Sequence, residues 1–468
     1  MKKLLLVNAN PETNPYPVPP LGLCLVANSV KEIAHIEVLD ATFMSPEMLR
    51  SRAREFSPDC IGLSIRNIDD MTYDKLNYYV DQIMMQTIQP LKDEHRVPLV
   101  LGGAGFSIFP DALIRQMGAS YGVCGPGERV FPELLRKIFN SDSLPDVPLL
   151  IRDSMSATAM VQTGENPYSQ SAAEIDQWID YSPYRQRGAY PVQAKRGCGF
   201  HCVYCTYPGI EGNKLRPRTA SEVVDEMEGA AGRLGDITFE FVDSVFNDPP
   251  GHAEAICREI LSRGLTFRMR TMGINPRHTT AELLELMMNA GFRQIDCTPD
   301  SASESMLRSL GKNFILSDLK RTATLIREAG LPSMWFFLLG GPGESEETIG
   351  ETFSFIDDMI SPEDLVHLSS GLRIYPGTPL QQIALKEGLI SKEEDLLKPL
   401  FYFSPQTPHD RLVKILQSEC VGRPNCLLSS DSTPPPEMMA KAVEMRRVQR
   451  LDEPMFRTLL RLKRDLLH

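Results

Sequence analysis

The sequence predicts an α/β protein: a doubly wound, Rossmann-like parallel sheet first, a partial (β/α)6 barrel second and a mostly helical C-terminal region last. Three observations carry this prediction. From Lys2 to about Phe139, short apolar runs alternate with amphipathic stretches. After Pro191 the same rhythm resumes through six strand-like runs. Between them, Asn140–Tyr190 is rich in Ser, Asp, Pro and Gln and has little sustained periodicity. Strand and helix signals in alternation mark a parallel sheet with crossover helices. The length agrees, because 468 residues exceed the roughly 250–300 at which a single core stops growing. The expected units are 1–140, a linker over 141–190, the barrel over 191–378 and the helical region over 379–468.

In the first unit KKLLLVN, IEVL, CIGLSI and PLVLGG read as strands, separated by helical patterns over Gly22–Ile33, Pro46–Glu55 and Thr72–Gln86 and followed by one over Asp111–Met117. The strand ends carry Ser64, Arg66, Asn67, Gly102, Gly103 and the Gly125–Glu128 stretch, and ligands of open α/β sheets bind outside those ends. In the second unit YPVQAK, ITFEFV, TFRMR, RQIDCT, SMWFFLLG and HLSSGLRIY read as strands. Helices are expected from Ala220 to Arg233, His252 to Arg263, Ala281 to Ala290, near Glu304–Leu310, Asp318 to Ala329 and Glu346 to Met359. Thr219 with Glu222, and Ser301 with Glu304, fit capping boxes at two helix starts.

The formal charge of −12 opposes a general nucleic-acid binder, whose affinity comes from a basic surface. The apolar run at the N-terminus stops at Val7 and reads as a strand, with no small-residue cleavage site after it. No apolar stretch approaches the roughly 20 residues of a membrane helix. A cytoplasmic protein without membrane or nucleic-acid partners is the expectation. Ten cysteines in a long chain then suggest metal ligands and reduced core thiols over a disulfide framework.

KRGCGFHCVYC follows the first strand of the barrel unit, so Cys198, Cys202 and Cys205 are expected at the C-terminal mouth, where barrel chemistry occurs. Three thiolates suit a four-iron cluster with one open iron, whereas electron-transfer clusters usually take four cysteines. The competing zinc site would need a fourth Cys or His. Cys420 and Cys426, in CVGRPNC, match no auxiliary-cluster spacing and could bind a soft ligand or remain free thiols.

RGCGFHCVYC resembles the cluster loop of the radical S-adenosylmethionine superfamily. FEFVDSVFN, DSASESMLRSLGK, LLGGPGES and GLRIYPGTPL, in that order, together with PPLGLCLVA and LGGAGFSIFPDALI, resemble its subgroup with an N-terminal cobalamin-binding domain. The resemblance implies a 4Fe–4S cluster, S-adenosylmethionine and cobalamin as cofactors. It places Tyr204 against the adenine and Asp243, Asp300, Ser301, Gly340, Gly341 and Arg373 around S-adenosylmethionine. Ser64, Arg66, Asn67, Gly102, Gly103 and Glu128 fall to the cobalamin crevice. Where many cobalamin domains place a cobalt-ligating histidine, this chain reads Asp40-Ala41-Thr42.

The implied activity is cobalamin-dependent methylation of a small-molecule or peptide substrate, with an electron donor such as flavodoxin or ferredoxin. A cobalamin-independent radical reaction stands as the alternative: a rearrangement, a ring closure or transfer of a 3-amino-3-carboxypropyl group to a soft nucleophile such as arsenic. An iron–sulfur or zinc sensor is the non-enzymatic alternative.

Overall fold

The computed structural model describes residues 1–141, 145, 147–152, 172–185, 188–431 and 433–465. Its first sheet has six strands in the order β2-β1-β3-β4-β5-β6. They span Lys3–Asn8 (β1), His35–Asp40 (β2), Cys60–Ser64 (β3), Leu99–Gly102 (β4), Tyr121–Cys124 (β5) and Leu149–Arg152 (β6). Every pair is parallel, and the order reverses at β1, which is flanked by β2 and β3. Leu4, Leu5, Leu6 and Val7 of β1 are all buried, because helices cover both faces, and this is why the strands read as unbroken apolar runs.

The second sheet has seven strands in the order β17-β14-β13-β12-β11-β10-β7, again with all pairs parallel. These are Tyr190–Val192 (β7), Thr238–Phe241 (β10), Arg268–Ile274 (β11), Phe292–Asp300 (β12), Ser333–Leu339 (β13), Leu365–Ser370 (β14) and Cys426–Leu428 (β17). Two small antiparallel ribbons stand beside it, Lys195–Arg196 (β8) with Arg216–Pro217 (β9), and Leu372–Arg373 (β15) with Phe401–Tyr402 (β16).

Burial alternates along β13: Ser333, Trp335, Phe337 and Leu339 are buried against the outer helices, while Met334, Phe336 and Leu338 are half-buried on the inner face. The barrel therefore encloses a lumen that water reaches. Around it the helices start and stop where sequence chemistry directs. Thr219 and Glu222 form the expected capping box on Ala220–Leu234, an arrangement worth about 1 kcal/mol.

Four expectations are corrected. Ser301 and Glu304 form no capping box: Ser301 Oγ receives the Ser303 N–H, and Glu304 accepts the N–H of Leu316. The helix expected over Thr72–Gln86 begins only at Val80. Before it, Asp69 and Asp70 accept the N–H groups of Met71 and Thr72, and Tyr73 packs on Phe401, Phe403 and His409. Local side-chain acceptors of this kind compete with helix formation. The segment expected as a linker supplies β6, and the tail, mostly helical as expected, also supplies β17, a seventh strand beside β14. Much of the segment, 153–171, lies outside the described residues.

The two sheets are tied together by charge. Arg373 donates from Nε to Asp69 at 3.1 Å and from its Nη atoms to the carbonyls of Ile374 and Leu396. Tyr184 bonds Asp40, and Arg196 bonds Glu128.

Candidate active site at the barrel mouth

The cysteine loop leaves β7 through β8 and turns at Gly197. That residue has φ of +82°, and a Cβ there would lie 2.0 Å from the Lys214 carbonyl, so glycine is required. The loop is stitched down by the backbone: Cys198 N–H to Gly212 O, Val203 N–H to Leu310 O and Leu380 N–H to Val203 O, at 3.1, 3.1 and 2.9 Å. Cys198 is buried, and Cys202 and Cys205 are half-buried.

Burial raises the Cys202 thiol and pushes Cys205 up to about 11, with each affected by its neighbouring cysteines and pulled back by Lys312. A buried thiol is costly to ionise alone, and a bound metal supplies the positive charge that offsets the cost. Three cysteines carried by one loop fit a multi-iron cluster with one open iron.

Beside the loop, Asp300 holds φ of +65°, accepts from Tyr204 OH and pairs with Lys312 Nζ at 2.8 Å. Lys312 also donates to the Thr298 carbonyl. Tyr204, Asp300 and Lys312 thus form one polar network below the cysteines. Lys312 lies inside the DSASESMLRSLGK segment but was not singled out from sequence.

Other expected site residues are occupied by the fold. Asp243 accepts the Ala194 and Lys195 N–H groups and pairs with Lys195 Nζ at 3.1 Å. Both side chains are 0% exposed. Ser301 is buried against Thr352. Arg373 is spent on Asp69 and on main-chain carbonyls, so it joins the domains. Gly340 donates to Glu344, and a Cβ on Gly341 would meet Leu310 Cδ2 at 2.9 Å. Gly341→Val thus acts first on core packing, contrary to a purely nucleoside-contacting role.

At the ends of β3 and β4, Gly103 has φ of +98°, and its absent Cβ leaves room for the Ile65 carbonyl, 2.5 Å from where that atom would sit. The glycine brings the Ser64–Asn67 loop against the Gly102–Gly105 turn and shapes the crevice floor. Asn67 Oδ1 is buried there without a partner among the described residues. Arg66 is accessible to water yet enclosed, and burial pulls its guanidinium below the usual range. Glu128 reaches across to Arg196, two residues before Cys198. Thr42 is tied to Asn10 O and Asn8 Nδ2 at 2.8 and 3.1 Å.

Two family models match the chain, the B12 binding domain over residues 12–135 and the radical SAM superfamily over residues 192–356. Tryptophan 2-C-methyltransferase of Streptomyces laurentii is 26% identical over 79% of this chain and 72% of its own length. Cytidylyl-2-hydroxyethylphosphonate methyltransferase of Streptomyces wedmorensis is 24% identical over 74% and 70%. The fold is shared with the radical S-adenosylmethionine methyltransferase TsrM of Kitasatospora setae, solved with cobalamin and a [4Fe-4S] cluster bound, at a TM-score of 0.79, 22% identity and full coverage of both chains. It is shared also with the cobalamin-dependent enzyme OxsB, at a TM-score of 0.66 and 14% identity over 98% of this chain and 70% of that one.

Fold and site therefore define a radical enzyme built from a corrinoid-type domain and a cluster-bearing barrel. The chain carries a radical SAM domain over residues 192–356 behind a B12 binding domain over residues 12–135. Those domains imply a 4Fe–4S cluster, S-adenosylmethionine and cobalamin as its cofactors. Among the described residues no helix is long and apolar enough to cross a membrane.

The crevice geometry predicts how cobalt is held. Both histidines of the first sheet lie at its opposite edge, His35 opening β2 and His95 preceding β4, while the crevice lies at the carboxyl ends of the strands. In the cob(II)alamin form, uniform 15N labelling of the protein is expected to leave the electron paramagnetic resonance spectrum unchanged. A labelling-dependent hyperfine pattern overturns the histidine-free assignment.

Proposed function

We propose that this protein is a cobalamin-dependent radical S-adenosylmethionine methyltransferase acting on a small-molecule substrate, with flavodoxin or ferredoxin as its electron source. When bound, the cluster supplies the electron that cleaves S-adenosylmethionine, and cobalamin supplies a cobalt that carries a methyl group. The observation that supports the reading is a shared space. Tyr16, in the chain that follows β1, donates its hydroxyl to Glu240 of barrel strand β10 at 2.7 Å and carries the Arg270 guanidinium of β11 over its ring. The strand-end side of the first sheet thus meets the inner wall of the barrel, as transfer of a one-carbon group between two cofactors requires.

Within that space Cys198, Cys202 and Cys205 would hold the cluster and leave one iron open to S-adenosylmethionine. Tyr204, fixed by Asp300, offers a flat face to a nucleoside. The strand-end loops Ser64–Asn67, Gly102–Gly105 and Gly125–Glu128 would hold the corrinoid.

Anaerobic purification with cluster reconstitution, followed by mass spectrometry, tests the reading. A bound corrinoid is expected, together with S-adenosylhomocysteine and 5′-deoxyadenosine from S-adenosylmethionine. Failure to bind any corrinoid removes the methyltransferase reading and leaves the cobalamin-independent radical one.

A further inference from the structure

The lumen carries charge that the cluster site does not use. Strand register sets Glu240, Arg270 and Gln294 side by side on neighbouring strands. Glu240 pairs with Arg270 Nε at 2.7 Å and accepts the Tyr16 hydroxyl at 2.7 Å, while the Arg270 guanidinium lies 4.2 Å over the Tyr16 ring. Asp296 stands two residues further along β12. Its Oδ1 accepts from Gln294 Nε2 at 2.8 Å, and its Oδ2 makes no hydrogen bond among the described residues.

Asp296 lies four residues before Asp300 on one strand, roughly 13 Å at the usual rise, and so sits below the Tyr204–Asp300–Lys312 network. Around Asp296 at this level stand the Glu240 carboxylate, the Arg270 guanidinium and the Tyr16 hydroxyl. Arg270 gives its Nε to Glu240 and keeps Nη2 without a partner among the described residues, and Asp296 has no ion-pair partner of its own. The remaining inner wall is apolar and accessible: Met272 is 43% exposed in mid-strand, Met334 and Phe336 are half-buried, and Phe336 packs against His367 with ring centroids 5.3 Å apart.

We propose that Asp296 is the anchor for the protonated amine of the substrate, and that the substrate class is a small amine with an apolar or aromatic body lodged against Met272, Met334 and Phe336. This deepens the methyltransferase reading and rests on it. A buried carboxylate with one neutral donor and no ion pair of its own is unfavourable, and an ammonium group supplies that pair through a charge-assisted hydrogen bond. Burial, with Glu240 adding to it and with Gln294 and Arg270 opposing, pushes the Asp296 carboxyl up to about 7. Amine binding therefore strengthens as pH rises through that value and Asp296 ionises, while an alkylamine stays protonated.

The test measures binding of tryptamine, tryptophol and indole-3-propionate to the reconstituted holoenzyme by calorimetry, without turnover. Tryptamine is expected to bind at least tenfold tighter than the alcohol or the acid. Its affinity should rise about tenfold from pH 6 to pH 8, as the ionised fraction of a group near 7 rises from about a tenth to nine-tenths. Asp296→Asn should abolish both the preference and the pH dependence while keeping iron content and corrinoid absorbance.

The comparison of the three probes on the unmodified enzyme stands even if that variant fails to fold. Equal binding of amine and alcohol, tighter binding of the acid, no tryptamine binding at millimolar concentration, or a preference that survives Asp296→Asn overturns the proposal. Loss of corrinoid binding or methyl transfer with the amine preference intact strikes the methyltransferase reading instead.

Discussion

Replacing Cys198, Cys202 and Cys205 together with Ala is expected to abolish cluster loading and all reductive cleavage of S-adenosylmethionine. Each thiolate occupies one iron, and the remaining cysteines offer no substitute. Cys24, Cys60, Cys124, Cys257 and Cys297 are buried. Burial pushes Cys24 well above its ordinary value and Cys60 and Cys257 up to about 12. Cys420 closes the helix His409–Cys420 and Cys426 opens β17, and burial raises both thiols.

Single Ala variants should lose the cluster nearly as completely as the triple variant, because groups that act as one unit are strongly non-additive. The fold should survive, since the loop is held by main-chain bonds from Cys198, Val203 and Leu380. Iron content, the visible charge-transfer absorbance and 5′-deoxyadenosine yield are the readouts. Retention of normal iron and product in the triple variant sinks the cluster assignment.

Much of this architecture is legible in the sequence because both sheets are parallel and covered on their faces. Their strands are apolar runs that contrast with amphipathic helices, and glycines punctuate the ends. The cysteine spacing is local, so its chemistry can be read without knowing the fold. What stays hidden is long-range. Tyr16 meets Glu240 across 224 residues and Arg373 meets Asp69 across 304, and no local pattern announces either pair.

Glu240, Arg270 and Asp296 do leave a trace, as charged residues at alternate positions within strand-like runs. Alternation alone does not say that they converge on a lumen. β17 is three residues long and follows a helix, too brief a signal to separate from a tail. Asp243, Ser301 and Arg373 carry the converse difficulty. Polar residues at strand ends resemble ligand contacts, and the sequence does not announce the buried partners they find in the fold.

Asp243 supplies the second large effect, and it separates these two readings directly. Its carboxylate receives two main-chain N–H groups at the exit of β7 and the Lys195 ammonium, in a pair wholly shielded from water. Lys195 also donates to the Phe246 carbonyl at 2.9 Å. Removing one member of a buried pair strands the other charge and costs about 3–5 kcal/mol. Asp243→Ala should therefore lower the urea midpoint of the barrel transition sharply and loosen the cysteine loop, which begins at Lys195.

The double variant Lys195→Met/Asp243→Leu removes both charges and should regain much of that stability, because apolar replacement of a buried ion pair is often close to neutral. Its affinity for S-adenosylmethionine should then stay within about twofold of the parent, as expected when no direct contact is lost. A structural pair predicts this recovery. A nucleoside ligand predicts instead that Asp243→Asn, studied where it remains folded, weakens S-adenosylmethionine binding by tenfold or more without a matching loss of stability, and that outcome would return Asp243 to the cofactor site.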